Sequence, residues 1–334
     1  MRKIMYAPSS FPRPSRLARI SSVLTVWIER RSLSFCLGHV RLCTLLSGYA
    51  QRLEQYVIMK KIKELPVKTI YYTDERNDEF SEAVIQPKKI DENWKYIRRG
   101  FWSGLKRVLA YWMIAHPLAY LYCRFKFRWT VKNRKVLKQL KGKKQGFFMY
   151  GNHTQPIGDA VIPSLSINPK SVYTIVHANN VSMPYLGRVN AYMGALPMPD
   201  NLKASRNFKE AIHTRYEEGN CIMIYPEAHI WPYYIGIRDF PAVSFRYPVD
   251  LDAPCFALTN TYQKRKHGKT PKIVTYLDGP FYPDKTLPIK ERMQKLRNQI
   301  YEKMVERSQL SDCEYIQYLP KEDTENKQED ENNG

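Results

Sequence analysis

The sequence has six cysteines and not one CxxC pair among them. Cys36, Cys43, Cys123, Cys221, Cys255 and Cys313 lack the spacing of a secreted disulfide framework, so they read as reduced thiols in a cytosol-facing protein, and no zinc site is expected. A long apolar run is missing as well. The uncharged core of the segment Arg98–Trp129 extends from Val108 to Cys123, sixteen residues broken by His116 and Pro117. A spanning helix needs roughly 20. Acidic residues are scarce: 32 stand against 53 Lys and Arg, a formal charge of +21. That imbalance favours a polyanionic partner, nucleic acid or an anionic membrane face, without choosing between them. No internal repeat is evident.

What remains is ample for a folded core. With 334 residues and 43% hydrophobic side chains, the chain has material for one large domain or two modest ones. Residues 1–58 hold eight Arg and a single Lys, whereas from Met59 onward Lys outnumbers Arg by 28 to 16. The shift at MKKIKEL suggests that residues 1–58 are a non-native upstream extension, or else a basic targeting arm. The apolar stretch ISSVLTVWI is short, is followed by Arg30 and Arg31, and has no small-residue cleavage site, which argues against a signal peptide.

Residues 59–97 read as a polar lead-in. Residues 98–129 then carry Arg98, Arg99, Lys106 and Arg107 before the uncharged core and Arg124, Lys126 and Arg128 after it, with Trp102, Tyr111, Trp112, Tyr120, Tyr122 and Trp129 interspersed. Basic flanks and amphipathic rings predict a helical segment lying in a membrane interface, bent at Pro117. A buried core helix with solvated ends is the alternative.

From residue 130 to 315 strand and helix signals alternate. GFFMY (Gly146–Tyr150), VYTIV (Val172–Val176) and CIMIY (Cys221–Tyr225) read as buried strands, with Pro254–Thr259 and Lys272–Leu277 as two more. Arg206–Glu218, stopped by Gly219, and Ile289–Arg307 read as helices. That order predicts an α/β domain with a largely parallel central sheet flanked by helices. Residues 316–334 read as an acidic disordered tail.

The stretch GNHTQPIGDA, Gly151–Ala160, falls at the end of the first strand, where open α/β sheets gather reacting groups. His153 is a candidate base and Asp159 its partner; alternatively, Asp159 caps a helix starting at Ala160 and His153 is a loop residue. IMIYPEAHIWP places Pro226 and Glu227 at the end of another strand. Together these elements resemble the glycerolipid acyltransferase family, over roughly residues 100 to 280. That family carries an Asn-His motif, an Asp after four intervening residues, and a later Phe-Pro-Glu-Gly-Thr-Arg motif.

The resemblance implies a base at His153 that deprotonates an acceptor hydroxyl, which attacks an acyl thioester, while Asp159 orients the imidazole. It implies Asn152, Pro226 and Glu227 in the substrate site. It implies acyl-CoA or an acyl-carrier protein as co-substrate with no other cofactor, a lysophospholipid-like acceptor, and a monotopic or peripheral place on the cytoplasmic face of a membrane.

Two departures stand out. Five residues, Thr154–Gly158, separate His153 from Asp159, and the family's Gly-Thr-Arg is replaced by Ala228, His229 and Ile230. With that basic residue gone, His229, Arg238 and Arg246 are the candidate phosphate contacts, and Lys203, near the helix start where the family's middle motif has Arg and this chain Asn201, is a candidate anion contact. MGALPMPDNLKASRNF and DAPCFALTN resemble the family's remaining motifs through Gly194, Ala195, Pro197 and Pro254. The competing function is a basic protein that binds nucleic acid or anionic lipid without catalysis, through KGKK (Lys141–Lys144) and KRKHGK (Lys264–Lys269). No nucleic-acid-binding signature accompanies those runs, and no nucleic-acid partner is expected.

Overall fold

Phe147, Phe148, Met149 and Tyr150 are all fully buried, which a strand achieves only when both of its faces are covered. They belong to β3 (Phe147–Gly151), the middle strand of a seven-stranded sheet. The computed structural model describes residues 68–80, 86–97, 108–142, 144–184 and 186–321, all within one unit, Leu65–Gly334. Residues 1–58, residues 98–107 of the expected interface segment, and residues 322–334 of the acidic tail lie outside the described residues.

The other strands are β1 (Lys68–Tyr72), β2 (Thr130–Lys132), β4 (Val172–Val176), β5 (Ala195–Pro197), β6 (Cys221–Ile224), β7 (Cys255–Gln263), β8 (Lys272–Phe281) and β9 (Ile316–Pro320). The sheet order is β2-β8-β7-β3-β6-β4-β5. Five of its neighbouring pairs are parallel, and the hairpin β7–β8 is antiparallel. The fold is thus α/β with a mostly parallel sheet flanked by helices.

Side chains alternate across β3. Phe148 and Tyr150 join Phe208 and Ile212 of one helix (α3, Leu202–Glu217) and Leu296, Ile300 and Met304 of another (α4, Ile289–Ser308). Those helical positions recur every four residues, the apolar stripe of a helix lying on a sheet. Phe147 and Met149 face the opposite side, with Ile167 from α2 (Gly158–Ile167), Met223 and Leu258. Each fully buried aliphatic or aromatic side chain contributes about 1.5–3 kcal/mol. Helix α3 begins at Leu202, earlier than the apolar pattern suggests, because Asn201 caps it by accepting from the Ala204 N–H at 2.8 Å.

Val108–Ala115 is π-helical and runs into α1 (His116–Lys126), with Pro117 in the first turn, where its missing N–H is tolerated. Cys123 of α1 is buried with Phe127, Trp129 and Ile162. Met113, Ile114, Leu118, Leu121 and Phe125 are exposed. Among the described residues no helix is long and apolar enough to cross a membrane.

One reading is corrected by the structure. Residues 316–320, assigned to the disordered tail, form β9, which pairs in parallel with β1 from the polar lead-in. Tyr318 and Ile316 close over Trp231, and that apolar contact holds a strand pair whose residues are too mixed to announce it.

Candidate functional site

Strand β3 ends at Gly151, where a larger residue would have to displace the Met223 methyl. A β-carbon there would lie 2.5 Å from the Met223 methyl and 3.3 Å from the Leu258 carbonyl oxygen. Beyond it, Asn152 continues the sheet ladder with its side chain. Asn152 Oδ1 accepts from the Asn260 backbone N–H at 2.8 Å, and Asn152 Nδ2 donates to the Asn260 carbonyl at 3.0 Å. This reciprocal pair fastens the start of the loop to β7 and presents the next residue, His153, above the sheet edge.

The polypeptide passes through Thr154–Ile157 as a loop before α2 begins at Gly158. The loop takes up the fifth intervening residue, and Asp159 Oδ2 lies 2.8 Å from His153 Nδ1. Asp159 is not the cap of its helix: it sits inside the first turn, with its carboxylate turned back to the loop. Oδ2 also accepts from the Gln155 backbone N–H at 2.9 Å, and Oδ1 from Asn260 Nδ2 at 3.3 Å. The Asp159 side chain is 3% exposed and that of His153 25%, so the carboxylate is enclosed while the imidazole reaches solvent. Burial pushes the Asp159 carboxyl above its ordinary range, opposed by His153 and by the backbone N–H groups.

A second loop follows β6 and closes on the first. The Trp231 N–H donates to the His153 carbonyl at 3.1 Å and the Tyr233 N–H to the Thr154 carbonyl at 2.8 Å. The Tyr225 ring stacks on the His153 ring at 4.6 Å, and its hydroxyl donates to the Asp159 carbonyl at 2.6 Å. Glu227 Oε2 accepts from the His153 backbone N–H at 3.3 Å and from Arg238 Nη2 at 3.3 Å. Burial raises the Glu227 carboxyl, and the Arg238 guanidinium opposes that. Ala228 takes a left-handed conformation, φ +63°, at the position where the resembling motif has glycine.

Asn152, His153, Asp159 and Glu227 are therefore brought together, with Pro226 at the turn between them. Of the four candidate phosphate or anion contacts, Arg238 is bonded to this group through Glu227. Arg238 is buried: it pairs with Glu227, donates to the His229 carbonyl, and lies 4.9 Å over the Trp231 ring. A guanidinium so enclosed holds the loop and is closed to a solvent-borne phosphate, which corrects the expectation for Arg238. His229 faces Glu79 at 3.2 Å, and Arg246 bonds Asp250 one helical turn on at 2.5 Å. Lys203 is exposed at the start of α3, and among the described residues no bond joins it to the His–Asp pair. The run KRKHGK forms the β7–β8 turn, where Arg265 is occupied by the Lys126 carbonyl and Thr270.

Asn260, Tyr225, Tyr262, Thr275 and Trp129 were not among the sequence candidates. DAPCFALTN contains Asn260, yet only the strand register puts it beside Asp159. Among the described residues, no group of three His, Cys, Asp or Glu is placed to hold a metal ion.

Chemically, the assembly is a His–carboxylate pair at the carboxyl edge of a parallel sheet, with one imidazole nitrogen held and the ring partly open to solvent. No protein-family model and no curated protein sequence matches the chain. Among solved structures, it is similar to the crystal structure of the 1-acyl-sn-glycerophosphate (LPA) acyltransferase, PlsC, from Thermotoga maritima. That similarity has 16% sequence identity and a TM-score of 0.41, over 62% of this chain and 87% of that one.

Proposed function

We propose that this protein is a membrane-surface acyltransferase. It moves a fatty acyl group from acyl-CoA or an acyl-carrier protein to a hydroxyl of a lysophospholipid or related lipid. The observation that carries the reading is the 2.8 Å contact between His153 Nδ1 and the enclosed Asp159 carboxylate, beside a partly exposed ring. Asp159 holds Nδ1 and leaves Nε2 for chemistry.

In this mechanism Nε2 takes the proton of the acceptor hydroxyl as its oxygen attacks the thioester carbonyl. The tetrahedral intermediate collapses, the C–S bond breaks, and the imidazolium returns its proton to the departing thiolate. The acyl group never rests on the enzyme. The four described cysteines are buried, and burial pushes their thiols above the ordinary range, which suits a mechanism without an enzyme nucleophile. General-base catalysis contributes typically about 10²–10⁴-fold.

The exposed apolar residues of α1 and the preceding turn, flanked by Arg124 and Lys126, support docking on an anionic lipid surface. The test is product mass spectrometry of purified protein given a panel of lysophospholipids with acyl-CoA and acyl-carrier-protein donors. Esterified product that is absent with His153→Ala supports the reading. No product from any pair, or undiminished product from that variant, overturns it.

A further inference from the structure

Behind the His–Asp pair runs a line of buried hydrogen bonds that no motif marks. Trp129 Nε1 donates to Thr275 Oγ1 at 2.8 Å, Thr275 Oγ1 donates to Asn260 Oδ1 at 2.6 Å, and Asn260 Nδ2 donates to Asp159 Oδ1 at 3.3 Å. All four side chains are enclosed, from 0% to 5% exposed. The residues come from four places in the sequence. Trp129 precedes β2; Thr275 and Asn260 are directly opposed on β8 and β7; Asp159 is in the first turn of α2.

We propose that Asn260, backed by Thr275 and Trp129, is a positioning residue that selects the tautomer of His153 and so leaves Nε2 as the base. An indole N–H donates and cannot accept, so it occupies Thr275 Oγ1 as an acceptor and directs the hydroxyl proton to the oxygen 2.6 Å away. That oxygen is therefore the carbonyl of the Asn260 amide, and the amide's N–H₂ must point to Asp159. Turning the amide over would give Thr275 Oγ1 two donors and leave its own proton without the acceptor it now has. With Asn260 Nδ2–H facing Oδ1 and the Gln155 N–H facing Oδ2, both carboxylate oxygens are acceptors. These two donors favour the ionised carboxylate, which can only accept, so His153 brings the proton on Nδ1 and the neutral ring keeps its lone pair on Nε2.

The Asn260 backbone cannot drift to relieve a misfit, because both of its polar groups are clasped by the Asn152 side chain. The titratable groups around Asp159 are His153 from the β3–α2 loop, Tyr225 from the end of β6 and Tyr262 from β7. Burial raises both phenols well above their ordinary range, so neither supplies a competing charge.

This inference rests on His153 being the base, and its test separates the two. The tautomer of His153 is read by long-range ¹H–¹⁵N NMR of the whole protein, at a pH where the ring is neutral, for wild type, Thr275→Ser, Thr275→Val and Asn260→Asp. Wild type and T275S should hold the Nδ1–H form. T275V, which frees the amide to turn, and N260D, which sets a second carboxyl against Asp159, should show a mixture or the Nε2–H form. In acyl transfer, T275V and N260D should lose about tenfold to a hundredfold in kcat with KM little changed, the size of one hydrogen bond to a charged group. T275S should match wild type.

A pure Nδ1–H ring and wild-type kcat in both T275V and N260D would overturn the proposal. If no variant and no wild type transfers acyl groups, the acyltransferase reading fails and the spectra alone decide the tautomer. If N260D does not fold, the comparison of T275V with T275S decides.

Discussion

Asp159 Oδ2 receives two hydrogen bonds from the loop that precedes it, from the Gln155 N–H at 2.9 Å and from His153 Nδ1 at 2.8 Å. The loop is shaped by the carboxylate as much as the imidazole is. Replacing His153 with Ala removes the base and leaves the Gln155 bond intact, so the fold should survive while kcat falls by about 10²–10⁴. A steady-state assay beside a thermal melt checks both halves, and an active H153A enzyme would remove His153 from the mechanism.

Asp159→Asn makes a pH-dependent prediction. Burial raises the folded carboxyl above its usual 3.8, so the folded chain binds that proton more readily than the unfolded chain. The contribution of Asp159 to stability is therefore greatest at or below that usual value and falls as pH rises through the folded one. The variant lacks this equilibrium. The stability of D159N minus that of wild type should rise with pH across the window, measured by denaturant titration at successive pH values; a flat or falling difference contradicts it. Activity should fall at every pH, because an amide cannot balance an imidazolium.

Arg238 and Glu227 are exposed by only 1% and 0% in their side chains. Removing one member of such a pair costs about 3–5 kcal/mol, since the other is left charged and buried. Arg238→Met should destabilise by that order. With its guanidinium gone, Glu227 is raised further, so the folded variant gains affinity for a proton and its deficit should widen from acid to neutral pH. Urea midpoints at several pH values test this, and a pH-independent deficit would assign the cost to packing against Trp231.

Ala228 carries a positive φ that a β-carbon disfavours. Ala228→Gly should relieve the turn and stabilise by about 1 kcal/mol, with catalysis unchanged, since the hydrogen bonds that hold His153 and Asp159 run to Glu227, Gln155 and Asn260. A lower denaturation midpoint would show that the flexibility gained by the unfolded chain outweighs the strain relieved.

Phe125 is 78% exposed on α1, near Arg124 and Lys126. Phe125→Glu should weaken co-sedimentation with anionic phosphatidylglycerol vesicles at least several-fold and leave the melting temperature unchanged, because the side chain takes little part in the core. Equal vesicle binding by the variant would place the lipid contact elsewhere.

Much of the fold was legible before any coordinates. GFFMY, VYTIV and CIMIY stand out because strands covered on both faces need unbroken apolar runs, and that requirement is met within five residues. The stretches Arg206–Glu218 and Ile289–Arg307 read as helices, and the structure has helices at Leu202–Glu217 and Ile289–Ser308, the first lengthened by its Asn201 cap. His153, Asp159 and Glu227 were visible as polar residues at strand ends.

Local sequence could not settle whether the extra residue between His153 and Asp159 breaks their contact. A loop's reach depends on where the next helix begins, and here Gly158 starts it just soon enough. Nor could it show that Arg238 turns inward, that β9 pairs with β1 across 248 residues, or that Trp129, Thr275 and Asn260 line up behind Asp159. Each of these depends on which strands are neighbours and in what register. Apolar burial is written into short stretches because each residue pays its own desolvation, whereas a hydrogen bond needs two partners, and only the folded sheet decides which two meet.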